Sequence, residues 1–193
     1  MPGTWVVVLA GGASRRFGSD KLEADLDGRP LLDATLGSVP EALPVLVVGP
    51  ERAVRRPVRF VREDPPGGGP AAALVAGLTA ALDGGAEAIS TLPGDAPAAG
   101  TAVPLLLAAL DDADLVMAVG DDGQVFPLQV ACTAAGARRV LDGAGPSRGA
   151  GASVRRLLEA LDPPPRRVVL PTAALHDVDT PADLNRIGAG PTA

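Results

Sequence analysis

Residues 11–21 read Gly-Gly-Ala-Ser-Arg-Arg-Phe-Gly-Ser-Asp-Lys. Gly11, Gly12 and Gly18 leave backbone amides free to point inward, Ser14 adds a hydroxyl, and Arg15, Arg16 and Lys21 add positive charge. Polyphosphate binding needs that combination of turned-in amides and cations. Lys21 is the only lysine among 17 basic residues, so where the chain keeps an ammonium an arginine would not serve. An ammonium is a compact point charge that can sit between two phosphates, whereas a guanidinium is a flat fork. The common nucleotide templates do not apply. Gly12 and Gly18 are one residue too far apart for G-x-x-x-x-G-K-[ST], and G-x-G-x-x-G is absent, so neither a P-loop kinase nor a dinucleotide oxidoreductase is indicated.

Carboxylates follow in three places: Glu63-Asp64 ahead of Gly67-Gly68-Gly69-Pro70, Asp95 after Pro93-Gly94, and Asp177-Val178-Asp179. A hard divalent cation bridging phosphate oxygens takes one or two carboxylates plus water, not His or Cys. Asp95 could supply one; the competing structural reading is a helix cap ahead of Thr101. Asp177 and Asp179 are two residues apart and share a face if the segment is extended. One of them could complete a metal or substrate site, or Asp179 could cap a helix opened by Pro181. Cys132 and His176, each the only one of its type, have no partner at a readable spacing and suggest neither a metal site nor a nucleophile.

The elements that must position these groups follow from the apolar runs. The continuous run 4–10, ending in glycines, predicts a strand buried on both faces. After a brief alternation over 22–26, Asp27-Gly28 predicts a turn and Pro30 a helix over 31–39. Further strands are predicted at 45–48, 58–61, 86–92, 115–119, 125–132 and 168–170. Helices are predicted at 70–83, 101–110 with Thr101 as its cap, 134–141, 153–161 and 181–187. Strands alternating with helices require crossover connections, which predicts an α/β fold with a mainly parallel sheet and helices on both faces. Ligands in such sheets bind beyond the carboxyl ends of the strands, where the loop 11–21, the segment 64–70 and Asp95 all lie.

The chain has 193 residues, enough for one domain with a proper core, and 1–193 is read as one unit with 190–193 as a flexible tail. With 17 basic against 23 acidic residues the net charge is −6, which argues against nucleic-acid or membrane-surface partners. Apolar stretches are far shorter than the roughly 20 residues of a membrane span. No secretory leader is recognisable, and one cysteine cannot form an internal bridge, so a cytoplasmic protein is expected.

The loop with its preceding Leu9-Ala10, followed by Leu26-Asp27-Gly28-Arg29-Pro30-Leu31-Leu32, resembles the signature of the molybdenum cofactor guanylyltransferase family. The likeness continues in order through Glu63-Asp64, Gly69-Pro70, Pro93-Gly94-Asp95-Ala96-Pro97, Phe126-Pro127-Leu128 and Asp177-Val178-Asp179-Thr180-Pro181-Ala182-Asp183-Leu184, nearly the whole chain. It implies a Rossmann-like fold of the nucleotide-diphospho-sugar transferase type. It further implies that the backbone of Leu9, Ala10, Gly11 and Gly12, with Ser14, holds the nucleotide, that Arg15 and Lys21 neutralise its triphosphate, and that Asp64 helps bind the nucleoside. Asp95 would hold Mg²⁺, with Asp179 as a second ligand. The implied reaction moves GMP from GTP to the phosphate of Mo-molybdopterin. Cytidylyl transfer, a sugar 1-phosphate acceptor and a non-catalytic nucleotide-binding module are the alternatives. Phe17, Gly49 and 70–73 depart from the family's usual Met, Asn and Pro-Leu-Ala-Gly, and the last two bear on base selection.

Overall fold

A computed structural model of the chain describes residues 3–11 and 20–188. Strand β1 (Thr4–Leu9) explains the architecture, because its side chains alternate between two apolar layers. Val6 and Val8 pack with Leu32 and Leu36 of α1 (Leu31–Ser38) and with Leu106 in a later helix. Val7 and Leu9 face the other layer. There Leu74 and Leu78 of the next long helix, together with Val140 and Leu158, complete the packing. A strand covered on both faces has no polar side to show, hence the unbroken apolar run.

After a 3-10 turn at Lys21–Glu23, β2 (Asp25–Leu26) and β3 (Arg29–Pro30) form a two-residue hairpin through Asp27 and Gly28, with φ of 53° and 79°. The alternation over 22–26 is therefore a turn and hairpin, not a strand of the main sheet. The remaining elements are β4 (Val45–Val48), β5 (Arg59–Val61), α2 (Pro70–Asp83), β6 (Ala88–Pro93), α3 (Val103–Ala108), β7 (Leu115–Gly120), β8 (Val125–Thr133), α4 (Ala134–Ala144), α5 (Val154–Glu159), β9 (Arg166–Leu170) and α6 (Pro181–Gly188). The main sheet has seven strands in the order β5-β4-β1-β6-β8-β7-β9. Within it β8 runs antiparallel to β6 and β7, and the other pairs are parallel.

The helix predicted from Thr101 begins later. Pro104 lacks an N–H and is tolerated only in a first turn, so α3 starts at Val103, and Thr101 lies in the 3-10 turn Ala99–Ala102 with its hydroxyl donating to Ala98 O at 2.7 Å. Among the described residues no helix is long and apolar enough to cross a membrane.

Candidate active site

Strands β4, β1 and β6 end side by side, with Leu9 level with Val48 on one flank and Pro93 on the other. Ala10 and Gly11, Gly49, and Gly94 with Asp95 therefore form one row beyond the carboxyl edge, where open α/β sheets bind ligands. The row is tightly tied. Ala10 N donates to Val48 O at 2.8 Å, Gly94 N to Leu9 O at 2.9 Å, and the buried Thr35 hydroxyl of α1 to Gly94 O at 2.9 Å.

Gly49 shows why a family asparagine is absent here. Its φ is 154°, and a Cβ built on it would lie 2.6 Å from Ala10 O. No side chain fits without moving the backbone that leads into the glycine loop. Gly49→Ala is expected to cost about 1–3 kcal/mol of stability, read by urea unfolding, and to weaken nucleotide binding. An unchanged unfolding midpoint would show that the strand end yields.

Lys21 reaches the row from the other direction. The Asp20 carboxylate accepts from Leu22 N at 3.2 Å and so caps the Lys21–Glu23 turn, while Leu22 anchors the turn in the core. Arg52, just past β4, clamps the same turn by pairing with Asp20 and, at 3.3 Å, with Glu23. Sequence reasoning missed Arg52, since nothing local marks one arginine among many as a clamp. Held this way, Lys21 Nζ lies 2.6 Å from Asp95 Oδ2, with the two side chains only 14% and 20% exposed. Asp179 Oδ1 lies 3.6 Å from the same ammonium. The second Asp95 oxygen, Oδ1, is buried with no hydrogen-bond partner among the described residues. Asp95 caps no helix, for the turn after it starts from Ala98.

Val178 N donates to Asp95 O at 2.9 Å and holds the segment 177–179 against the end of β6. The segment is not a strand. Asp179 does not cap α6; Thr180 does. Asp183 N donates to the Thr180 hydroxyl oxygen at 3.3 Å, and Asp183 Oδ2 in return accepts from Thr180 N at 2.8 Å and from Asp179 N at 3.1 Å. This is a reciprocal capping box with aspartate in place of glutamate, and its Thr-Pro-Ala-Asp pattern was legible in the sequence. It leaves the Asp179 carboxylate facing Lys21. Partial burial lifts the Asp177 carboxyl above the usual carboxylate range, and the charges of Asp95 and Asp179 add to that while Lys21 opposes it. Among the described residues no group of three or more His, Cys, Asp or Glu forms a metal cage.

Of the other predicted site residues, Leu9 and Ala10 are buried and Gly11 is exposed at the edge. Gly12, Ser14 and Arg15 lie outside the described residues. Asp64 and its neighbour Glu63 lie in different surroundings. The Glu63 carboxylate stands against Gly11, 3.6 Å from where a Cβ would be, and accepts from Gly67 N at 3.1 Å. Asp64 instead lines a cleft of about 170 Å³ along α2. Cys132 is buried between β6 and β7, and burial pushes its thiol up to about 12, so it is no nucleophile.

The sequence and the fold recur in a known group of proteins. Residues 6–165 match the model of the MobA-like NTP transferase domain. The chain is 36% identical over 156 residues to the molybdenum cofactor guanylyltransferase of Acidiphilium cryptum (strain JF-5), an alignment covering 75% of this chain and 76% of the relative. Among solved structures, a homologue of Mycobacterium tuberculosis Rv0371c from Mycobacterium sp. strain JC1 superposes with a TM-score of 0.72 at 26% identity, covering 96% of this chain and 95% of that one. Molybdopterin-guanine dinucleotide biosynthesis protein A from Archaeoglobus fulgidus shares the fold, with a TM-score of 0.69 at 21% identity over 95% and 96% of the two chains. The chain belongs to the MobA-like NTP transferase family and is a nucleotidyltransferase.

Proposed function

We propose that the protein transfers GMP from GTP to the terminal phosphate of Mo-molybdopterin and releases pyrophosphate. The observation that carries this reading is the Lys21–Asp95 pair with its unsatisfied, buried Asp95 oxygen, at the strand ends, in a chain related to a guanylyltransferase. An acceptor phosphate oxygen attacks the α-phosphorus, the bond from that phosphorus to the β-phosphate's bridging oxygen breaks, and pyrophosphate leaves with the electron pair. No protein nucleophile is required, because positioning and charge neutralisation carry phosphoryl transfer.

The donor set fits Mg²⁺. A hard cation takes oxygen ligands, one or two of them carboxylates, and Asp95 offers an oxygen with no hydrogen-bond partner among the described residues while Asp179 lies nearby on the same lysine. Bound there, Mg²⁺ would supply charge neutralisation at the triphosphate and the departing pyrophosphate. In this reading the charges of Lys21 and Arg15 neutralise the triphosphate. The row of Leu9 and Ala10 sets the floor under the nucleotide. Glu63 takes the nucleoside contact first assigned to Asp64, because its carboxylate is the one at Gly11.

Guanine rather than cytosine follows from the kinship with guanylyltransferases and from Ala10-Gly11-Gly12, where cytidylyl relatives usually read Ala-Ala-Gly. A wrong base leaves polar groups unpaired at about 1–3 kcal/mol each, so GTP is expected to bind at least about tenfold tighter than CTP. Calorimetric titration with each nucleotide, paired with pyrophosphate release on adding Mo-molybdopterin, tests the reading. Equal affinity for GTP and CTP overturns the guanylyl assignment and leaves nucleotidyl transfer in place.

A further inference from the structure

The parallel strands β4 and β5 are joined by residues 49–58, which contain neither helix nor strand. A parallel crossover usually carries a helix that packs its apolar face on the sheet. Here Val54 and Val58 touch the core, and arginines fasten the rest. Beside the start of β4, Arg56 donates to the backbone carbonyls of Leu36, Val39, Pro40, Glu41 and Leu43. Midway, Arg55 N donates to Asp33 Oδ1 at 3.0 Å in the first turn of α1. Just past the end of β4, Arg52 donates from Nη1 to Pro50 O at 3.3 Å and grips Asp20 and Glu23 on the Lys21–Glu23 turn. The segment is a strap fastened at three points, and one of them is the turn that carries Lys21.

The two outer arginines do different work. Arg56 satisfies carbonyls at the end of α1 that have no partner within the helix, which is a contribution to folding. Arg52, with its side chain 11% exposed, instead holds carboxylates that are 43% and 51% exposed. Such carboxylates are solvated without a cation, so this grip adds little to stability. Its effect is geometric. Asp20 caps the turn and Glu23 closes it, so a planar fork that reaches both leaves the backbone between them little freedom. Lys21 is the residue between them, and its ammonium is already 2.6 Å from Asp95.

We propose that Arg52 is a positioning residue of nucleotidyl transfer, which presets the Lys21 ammonium at Asp95 before the triphosphate arrives. The inference rests on Lys21 being the cation that meets the triphosphate in the proposed reaction. It adds the residue that puts Lys21 there and makes Arg52 act through Lys21 alone, with no contact of its own to the nucleotide. A charge set in place beforehand needs no reorganisation at the moment of reaction.

Lys21 is the only lysine, so its amine reports on itself. Acetylation by N-hydroxysuccinimidyl acetate, followed by mass spectrometry of the peptide holding residue 21, is expected to run roughly three- to tenfold faster in Arg52→Ala than in wild type, the scale of releasing one ordered side chain. GTP affinity by calorimetry falls by a similar factor in Arg52→Ala. It falls no further when Arg52→Ala is added to Lys21→Met, because a clamp with no lysine to hold has nothing left to set. Arg56→Gln, at the far end of the strap, lowers the unfolding midpoint and leaves both readouts at their wild-type values. Should Arg52→Ala fail to fold, Glu23→Gln opens the same clamp from its half-exposed side with the same signs. Unchanged labelling in Arg52→Ala overturns the proposal, as does equally fast labelling in Arg56→Gln, which would make general loosening of the strap the cause. An equal loss of GTP affinity with and without Lys21 overturns the route through Lys21. A wild type that binds no GTP sinks the guanylyl reading by itself, and the labelling rates still decide for or against the clamp.

Discussion

Asp95→Asn is expected to lower turnover by about 10²–10³-fold while nucleotide affinity changes only a few fold. The substitution keeps the shape and the buried position but removes the charge that makes Asp95 Oδ1 worth offering to a cation. It also takes from Lys21 its 2.6 Å partner, yet Asp179 stays within reach of the ammonium, so no cation is stranded and the fold is retained. The measurement is a comparison of the steady-state rate with GTP affinity by calorimetry, alongside a thermal melt. Near-normal turnover at ordinary Mg²⁺ concentrations would mean that Asp95 only holds Lys21, and the metal assignment would fall.

Lys21→Met is expected to move two affinities in opposite directions. With no ammonium beside Asp95, GTP binding is expected to weaken roughly ten- to a hundredfold, the scale of a lost charge-assisted contact. The same change removes the cation that pairs with Asp95, so Mn²⁺ added without nucleotide, followed by its paramagnetic resonance signal, binds severalfold tighter than to wild type. A purely structural lysine would give neither shift, and a lysine that only touches phosphate would give the first alone. Lys21→Arg also impairs GTP binding, because a guanidinium fork cannot fill a place shaped by a 14% exposed ammonium.

The sequence by itself determined the α/β class and the both-face burial of β1. These are local properties. A continuous apolar run, a glycine after its last residue and an aspartate after Pro93-Gly94 describe their own surroundings within a few residues. It also singled out Lys21 and Asp95 separately, one by its rarity and one by its place at a strand end. The departure at Gly49 was visible too, but not its reason, which is the approach of Ala10 from a neighbouring strand.

Only the tertiary structure decided what depends on residues far apart in the chain. The 2.6 Å Lys21–Asp95 contact spans 74 positions, and no spacing rule foretells it. That the Glu63 carboxylate stands near Gly11 while Asp64 lines a cleft along α2 is set by the course of the chain after β5 pairs with β4. Arg52 became a clamp because β4 ends beside the turn it grips. Each outcome was set by the pairing of whole strands, whose energy is shared over many residues and is written at no single one of them.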